Sequence, residues 1–160
     1  MNRAKIVSLC GLLTAAAFAL NWLEFVLPSI PGPGFKLGLA NIVTLFALYK
    51  LGPKHAFAIL LGRCILSALL FGGATQLMFS LMGGVFAFAA MLLLSRFNSF
   101  SPYGVSIAGA TAHNIGQTTA AVLLSGTPAL YSYLLALLPA GLAAGFVTAY
   151  IYKLCFKFLP

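Results

Sequence analysis

The stretch Pro31-Gly32-Pro33-Gly34-Phe35-Lys36-Leu37-Gly38-Leu39-Ala40-Asn41 interrupts an otherwise apolar sequence. Two prolines fix φ and lack an N–H, and the glycines between them permit backbone conformations that other residues avoid. Regular helix cannot run through Pro31–Gly34, so the segment is a shaped connector. It joins the first two hydrophobic runs, contains Lys36 and follows Glu24, the one acidic residue in the chain. A Pro-Gly cluster is ordinarily a tight loop between elements. Here Lys36 and Glu24 bracket it in a chain with little other charge, which points to a loop folded over a binding pocket.

Outward from the connector the composition is that of a membrane protein. Of 160 residues, 62% are hydrophobic and only 6% charged, with a mean hydropathy of +1.06. A soluble domain carries about 25% charged residues, so this chain cannot cover a water-facing surface. It reads as an integral protein of the cell membrane, all-α, in contact with the lipid bilayer. The net charge of +8 does not indicate nucleic acid, because the cations form no stripe and no aromatic stacking platform accompanies them. Cys10, Cys64 and Cys155 lie in apolar runs and read as small hydrophobes. The basic start, Arg3 and Lys5, resembles a signal peptide, but the apolar run continues to about Leu23. A signal h-region has only about 7–15 residues, so this run is kept as a span.

A spanning helix needs about 20 apolar residues. Six candidates follow, at about 5–27, 37–50, 55–70, 76–94, 103–124 and 129–154, forming one transmembrane domain over residues 1–160. The second is short, so the connector before it dips to membrane level. Pro128 stands at the start of the sixth span, and Pro139 inside it should kink it. With six spans, Arg3, Lys5, Lys50, Lys54, Arg96, Lys153 and Lys157 fall on one side and Lys36 on the other. Cytoplasmic segments carry the excess of Lys and Arg. Both termini are therefore expected in the cytoplasm, with the connector, Glu24 and Lys36 facing outward.

Membrane helices associate through small residues at spacing four. Gly104, Ala108, Ala112, Gly116 and Ala120 in span five, and Ala136, Ala140, Ala144, Gly141 and Gly145 in span six, suit packing within the bundle. Gly11, Ala15 and Ala19 belong to a wider small arc on span one. That arc suits either ordinary packing or a flat face for another membrane subunit.

Polar residues at membrane depth carry the functional signal. Arg63 lies mid-span, where an arginine costs at least about 2.5–3.5 kcal/mol. It needs a partner: Glu24, helix-end carbonyls, the polar face of span five, or an anionic group on a ligand. His113 and Gln117 are i,i+4 and Asn114 and Gln117 are i,i+3, so three donor–acceptor side chains share one helix face. Asn21, Asn41 and Gln76 are weaker candidates near the outer ends of their helices. His55 reads as a solvated residue. The expected substrate-binding set is Glu24, Lys36, Asn41, Arg63, His113, Asn114 and Gln117.

A single carboxylate excludes paired-carboxylate catalysis and carboxylate-held magnesium within this chain. No Walker loop and no zinc spacing appear. The expectation is a protein that is not an enzyme and uses no cofactor and no metal. It binds a small molecule within a helical bundle.

The run Pro33–Asn41, Arg63, Ser80-Leu81-Met82-Gly83-Gly84 and the segment from Gly104-Val105-Ser106 to Ala112-His113-Asn114-Ile115-Gly116-Gln117 resemble the Gx transporter family of bacteria. That family is also labelled heptaprenyl diphosphate synthase component I. It is similar to the S-components of energy-coupling factor (ECF) transporters. The resemblance covers nearly the whole chain. It implies a compact six-helix bundle that binds a vitamin-like, redox-cofactor or isoprenoid/quinone-related compound from outside. It also implies a transmembrane coupling subunit driven by ATPases, docked on a small-residue face of helix one, where Ala15 and Ala19 match the Ala-x-x-x-Ala pattern. The synthase label offers the alternative of a non-transporting accessory subunit in isoprenoid (heptaprenyl diphosphate) synthesis or electron transfer. Prenyl synthases hold magnesium diphosphate on aspartate-rich motifs, and this chain has no aspartate.

Overall fold

The structure is a computed structural model that describes residues 2–26 and 38–158. Among the described residues the elements are all helical: α1 (Arg3–Val26), α2 (Asn41–Leu51), α3 (Pro53–Ser67), a π-helical segment (Ala68–Gly72), α4 (Gly73–Ser95), α5 (Pro102–Ser125), a 3₁₀ segment (Pro128–Tyr133) and α6 (Leu134–Phe158). Lys36 and the rest of the 31–37 connector lie outside the described residues.

Prolines and glycines set the boundaries. Gly52, at φ +86, turns the chain between α2 and α3, and Pro53 takes the first position of α3, where its missing N–H costs nothing. Ser101 caps α5 by accepting the Gly104 N–H at 3.4 Å, with Pro102 following. Gly126 ends α5 in the left-handed conformation. The third and fourth candidate spans meet differently from expectation. Instead of a break near 71–75, α3 passes into the π segment, and the chain reverses at Gly72–Gly73, where Gly73 has φ +60. The π segment sets Phe71 against Phe18 and Phe25, with ring centroids 5.1 and 5.6 Å away. The expected start of span six is 3₁₀, with the Leu130 N–H on the Thr127 carbonyl, and α-helix begins only at Leu134.

Side-chain contacts fix the helix directions. Thr14 lies against Gly62 and Asn21 donates to Ser67 Oγ at 2.6 Å, so α1 and α3 run parallel. Phe57 meets Phe88 at 5.3 Å, and Arg63 lies by Gly84, so α3 and α4 are antiparallel. Met91 covers Gly109 and the Met82 carbonyl covers Gly116, which makes α5 antiparallel to α4. Ser106 Oγ donates to the Gly145 carbonyl at 2.8 Å and Asn114 Nδ2 to the Leu137 carbonyl at 2.8 Å, which does the same for α6. The helices thus alternate, and Arg3, Lys5, Lys50, Lys54, Arg96, Lys153 and Lys157 fall at one end of the bundle. There Lys50 lies over Phe156 and Lys153 over Tyr103, 5.5 and 4.9 Å from the ring centroids.

Leu45, Ile59, Leu60, Met91 and Val105 are fully buried and make the core of α2–α5. Three stretches are long and apolar enough to cross a membrane: Arg3–Val26, Pro53–Ser95 with its reversal, and Pro128–Lys157. At 11 residues α2 is too short to cross alone. The 24 residues of α5 have the length, but they carry His113, Asn114 and Gln117. Helix α1 is the least embedded of the three, with 11% of its apolar window buried. An apolar groove of about 320 Å³ opens between α1, α2 and α6, lined by Leu13, Leu20, Ile42, Phe46 and Tyr152 among others.

Candidate functional site

The described end of the connector is a tight turn that leads into the polar interior. The Asn41 N–H bonds the Gly38 carbonyl at 2.9 Å and the Ile42 N–H bonds that of Leu39 at 3.0 Å. Gly38 has φ +79, and a Cβ on it would lie 2.7 Å from Asn41 Nδ2 and 3.2 Å from His113 Cδ2. Both the conformation and the space require glycine. The turn is tied to α1 by Glu24, whose Oε1 accepts the Leu39 N–H at 2.8 Å. Glu24 is itself buried. The expected outer frame of Glu24 and Lys36 is therefore described on its Glu24 side, while Lys36 lies outside the described residues.

Below the turn, Asn41 and Arg63 meet. Arg63 is 2% exposed and Asn41 1%. The Arg63 Nη2 donates to Asn41 Oδ1 at 3.3 Å. Of the partners open to Arg63 from sequence, its hydrogen bond goes to this amide and not to the Glu24 carboxylate. Among the described residues, Arg63 Nε and Asn41 Nδ2 have no hydrogen-bond partner.

The consecutive glycines of α4 connect this pair to α5. A Cβ on Gly84 would lie 3.4 Å from Arg63 Nη2, and one on Gly83 would lie 2.7 Å from His113 Cε1 and 2.9 Å from Gln117 Cγ. The backbone of α4 thus approaches Arg63 with one residue and the histidine–glutamine pair with its neighbour. His113, Asn114 and Gln117 are all buried. His113 also reaches the Gly38 turn, so α5 and the connector's end close on each other. Asn114 faces the other way: its Nδ2 bonds the Leu137 carbonyl and packs on Gly141 of α6, and its main-chain carbonyl accepts from Thr118 Oγ1 at 2.9 Å, while its Oδ1 has no partner among the described residues. Of the shared face expected on α5, His113 and Gln117 turn to α4 and the connector, while Asn114 turns to α6.

Sequence reasoning missed Thr44. It is fully buried, one helical turn after Asn41, and its Oγ1 has no hydrogen-bond partner among the described residues. Its i+3 spacing from Asn41 was the available signal. Asn21 and Ser67 pair between α1 and α3, and Gln76 donates to Ser80 at 3.0 Å, so these polar groups are bonded within the bundle. His55 is half-buried, with Nδ1 2.9 Å from the Leu51 carbonyl, closing the end of α2. Gly11, Ala15 and Ala19 are exposed on α1. Among the described residues no three His, Cys, Asp or Glu side chains gather as metal ligands.

A helical protein of membrane type, with polar side chains of α3 and α5 buried against one glycine pair and those of α1 and α2 buried beside them, is the class these features define. The chain belongs to the family described as heptaprenyl diphosphate synthase component I, whose family model matches residues 13–155. Comparisons with curated proteins and with solved structures give no match.

Proposed function

We propose that this protein is the membrane-embedded substrate-binding subunit of a small-molecule uptake transporter, built like the S-components of ECF transporters. The six helices make six passes with both termini in the cytoplasm, and the cationic end of the bundle is the inner one. The substrate enters from the opposite end, under the connector. Arg63, Asn41, His113 and Gln117 line its site, with Glu24 and Lys36 at the mouth and Asn114 holding α5 to α6. The exposed Gly11, Ala15 and Ala19 face docks on a transmembrane coupling subunit that carries ATPases. The chain catalyses nothing itself. The observation that supports this reading best is the buried Arg63–Asn41 pair, which keeps unmet donors at membrane depth. A merely structural arginine there would be expected to have its donors met.

A second reading comes from the family description: an accessory membrane subunit of heptaprenyl diphosphate synthesis, with no transport. Affinity purification from the native membrane in mild detergent, followed by mass spectrometry, separates the two. Stoichiometric recovery of a coupling membrane subunit and ATPases is the expected result. Recovery of prenyl-chain enzymes without ATPases would replace the transporter reading with the accessory one.

A further inference from the structure

The unmet polar atoms on the α2–α3 side of the site are of one kind. Arg63 Nε and Asn41 Nδ2 can only donate, and Thr44 Oγ1 is free to donate. The threonine departs from its counterparts. Thr14, Thr118 and Thr119 each donate to the carbonyl four residues back, at 2.8, 2.9 and 2.8 Å, whereas Thr44 has no such bond. All three side chains are at most 2% exposed, so bulk water does not serve them. The Asn41 amide is oriented by its acceptor oxygen, which accepts the Arg63 Nη2 hydrogen bond and leaves Nδ2 as the free edge.

Charge sharpens the reading. A guanidinium stays protonated in a protein, and in a low-dielectric interior its charge needs a counter-charge. The one acidic side chain of the sequence, Glu24, accepts the Leu39 N–H instead. On the binding-subunit reading above, we infer that the substrate presents an anionic group, a carboxylate or a phosphate, to Arg63, Asn41 and Thr44. A cation is repelled there, and a neutral acceptor leaves the charge unanswered. The planar fork of arginine matches both oxyanions. A free organic acid and a phospholipid headgroup share this chemistry.

The test uses the full chain in mild detergent, with inorganic phosphate and acetate as probes at ionic strength held constant with chloride. Ligand that binds only the folded state raises the unfolding midpoint saturably. The wild type should respond to at least one probe. Thr44→Val should need about tenfold more of it, one charge-assisted hydrogen bond being lost. Asn41→Asp should not respond, because it places a carboxylate beside Arg63 in a side chain of nearly the same shape. Arg63→Gln should also lose the response, and if it fails to fold, the Asn41→Asp result decides. Native mass spectrometry of the same preparations identifies the source. A phospholipid mass lost in Asn41→Asp assigns the anion to a headgroup, and a low-mass acid lost there assigns it to a free substrate. No saturable response in the wild type, or an equal one in Asn41→Asp, overturns the inference. A neutral molecule that stays bound in both proteins overturns it too but spares the binding-subunit reading. An intact anion response with no coupling subunit recovered does the reverse.

Discussion

The α5–α6 seam and the α2–α3 wall both bury polar groups, but they finish them differently. In the seam, Ser106 ends on the Gly145 carbonyl, Asn114 on that of Leu137, and Thr118 on that of Asn114. Glycines make this possible. A Cβ on Gly145 would lie 2.5 Å from Ile107 Cα, and one on Gly141 2.7 Å from Asn114 Nδ2. In the wall, Arg63, Asn41 and Thr44 are as deeply buried, yet each keeps a donor atom without a partner among the described residues. The seam's donors close on main-chain carbonyls and, among the described residues, leave one acceptor, Asn114 Oδ1, unmet, whereas the wall leaves donors unmet. On the binding-subunit reading proposed above, the wall's open donors are the ones kept for a ligand, at a cost in stability.

The largest expected effect falls on the seam. Gly145→Val drives a branched side chain into the backbone of α5, where nothing flexible can yield. Overpacking costs about 1–3 kcal/mol and occasionally more. Because the obstacle is main chain, a loss of about 3 kcal/mol is expected, read as a fall in unfolding midpoint in detergent. A midpoint unchanged from wild type would show that the two helices are not held together as closely as this.

The wall should answer with the opposite sign. Arg63→Met removes a central charge worth about 2.5–3.5 kcal/mol of insertion cost and leaves Asn41 Oδ1 unpaired at about 1–3 kcal/mol. The balance is a gain of about 1 kcal/mol for the ligand-free protein, together with lost binding. If Arg63 serves the fold, the bond to Asn41 and the packing of its stem outweigh the cost of the charge, and the same substitution lowers the unfolding midpoint. The sign of the change therefore decides which kind of residue Arg63 is.

How much of this could be read beforehand varies by residue. The helical class and most boundaries were legible because Pro53, Pro102, Gly52 and Gly126 act locally, through φ and a missing N–H. The buried polar set was legible because charge at membrane depth stands out against an apolar sequence. What Arg63 touches was not legible. The Asn41 contact depends on α2 turning back at Gly52 to lie against α3, and the Glu24 contact depends on the connector returning to α1. Both are tertiary facts. The split of the α5 face, with His113 toward α4 and Asn114 toward α6, was equally hidden. Helical spacing groups residues on a face but does not say that two neighbours will divide it. The π segment is a tertiary feature as well, since Phe71 meets α1 rings far from it in sequence.

A smaller effect tests the seam's hydrogen bonds apart from its packing. Ser106→Ala keeps the close approach and deletes one bond to the Gly145 carbonyl. Interhelical bonds of this sort average about 0.6 kcal/mol in membranes, so a loss near that value is expected by the same unfolding assay. A loss as large as that of Gly145→Val would mean that the hydroxyl, and not the glycine, sets the seam.

The smallest effect on stability is expected on α1, and there a null result is informative. The face that α1 buries carries Ala17, Asn21 and Glu24, and Thr14 meets Gly62 beside it. At 3.6 residues per turn, Ala15 points about 160° away from Ala17. Gly11, Ala15 and Ala19 accordingly remain exposed, and a Cβ on Gly11 would meet nothing within 4 Å. Ala15→Leu therefore adds volume where this chain has no neighbour, and stability should change by no more than about 0.5 kcal/mol. If the small face is kept for a second membrane subunit, the same change should abolish its recovery in affinity purification while anion binding at Arg63 persists. Loss of the partner without loss of stability would assign the α1 face to docking. Loss of stability instead would assign it to packing within the bundle and leave the coupling subunit without this seat.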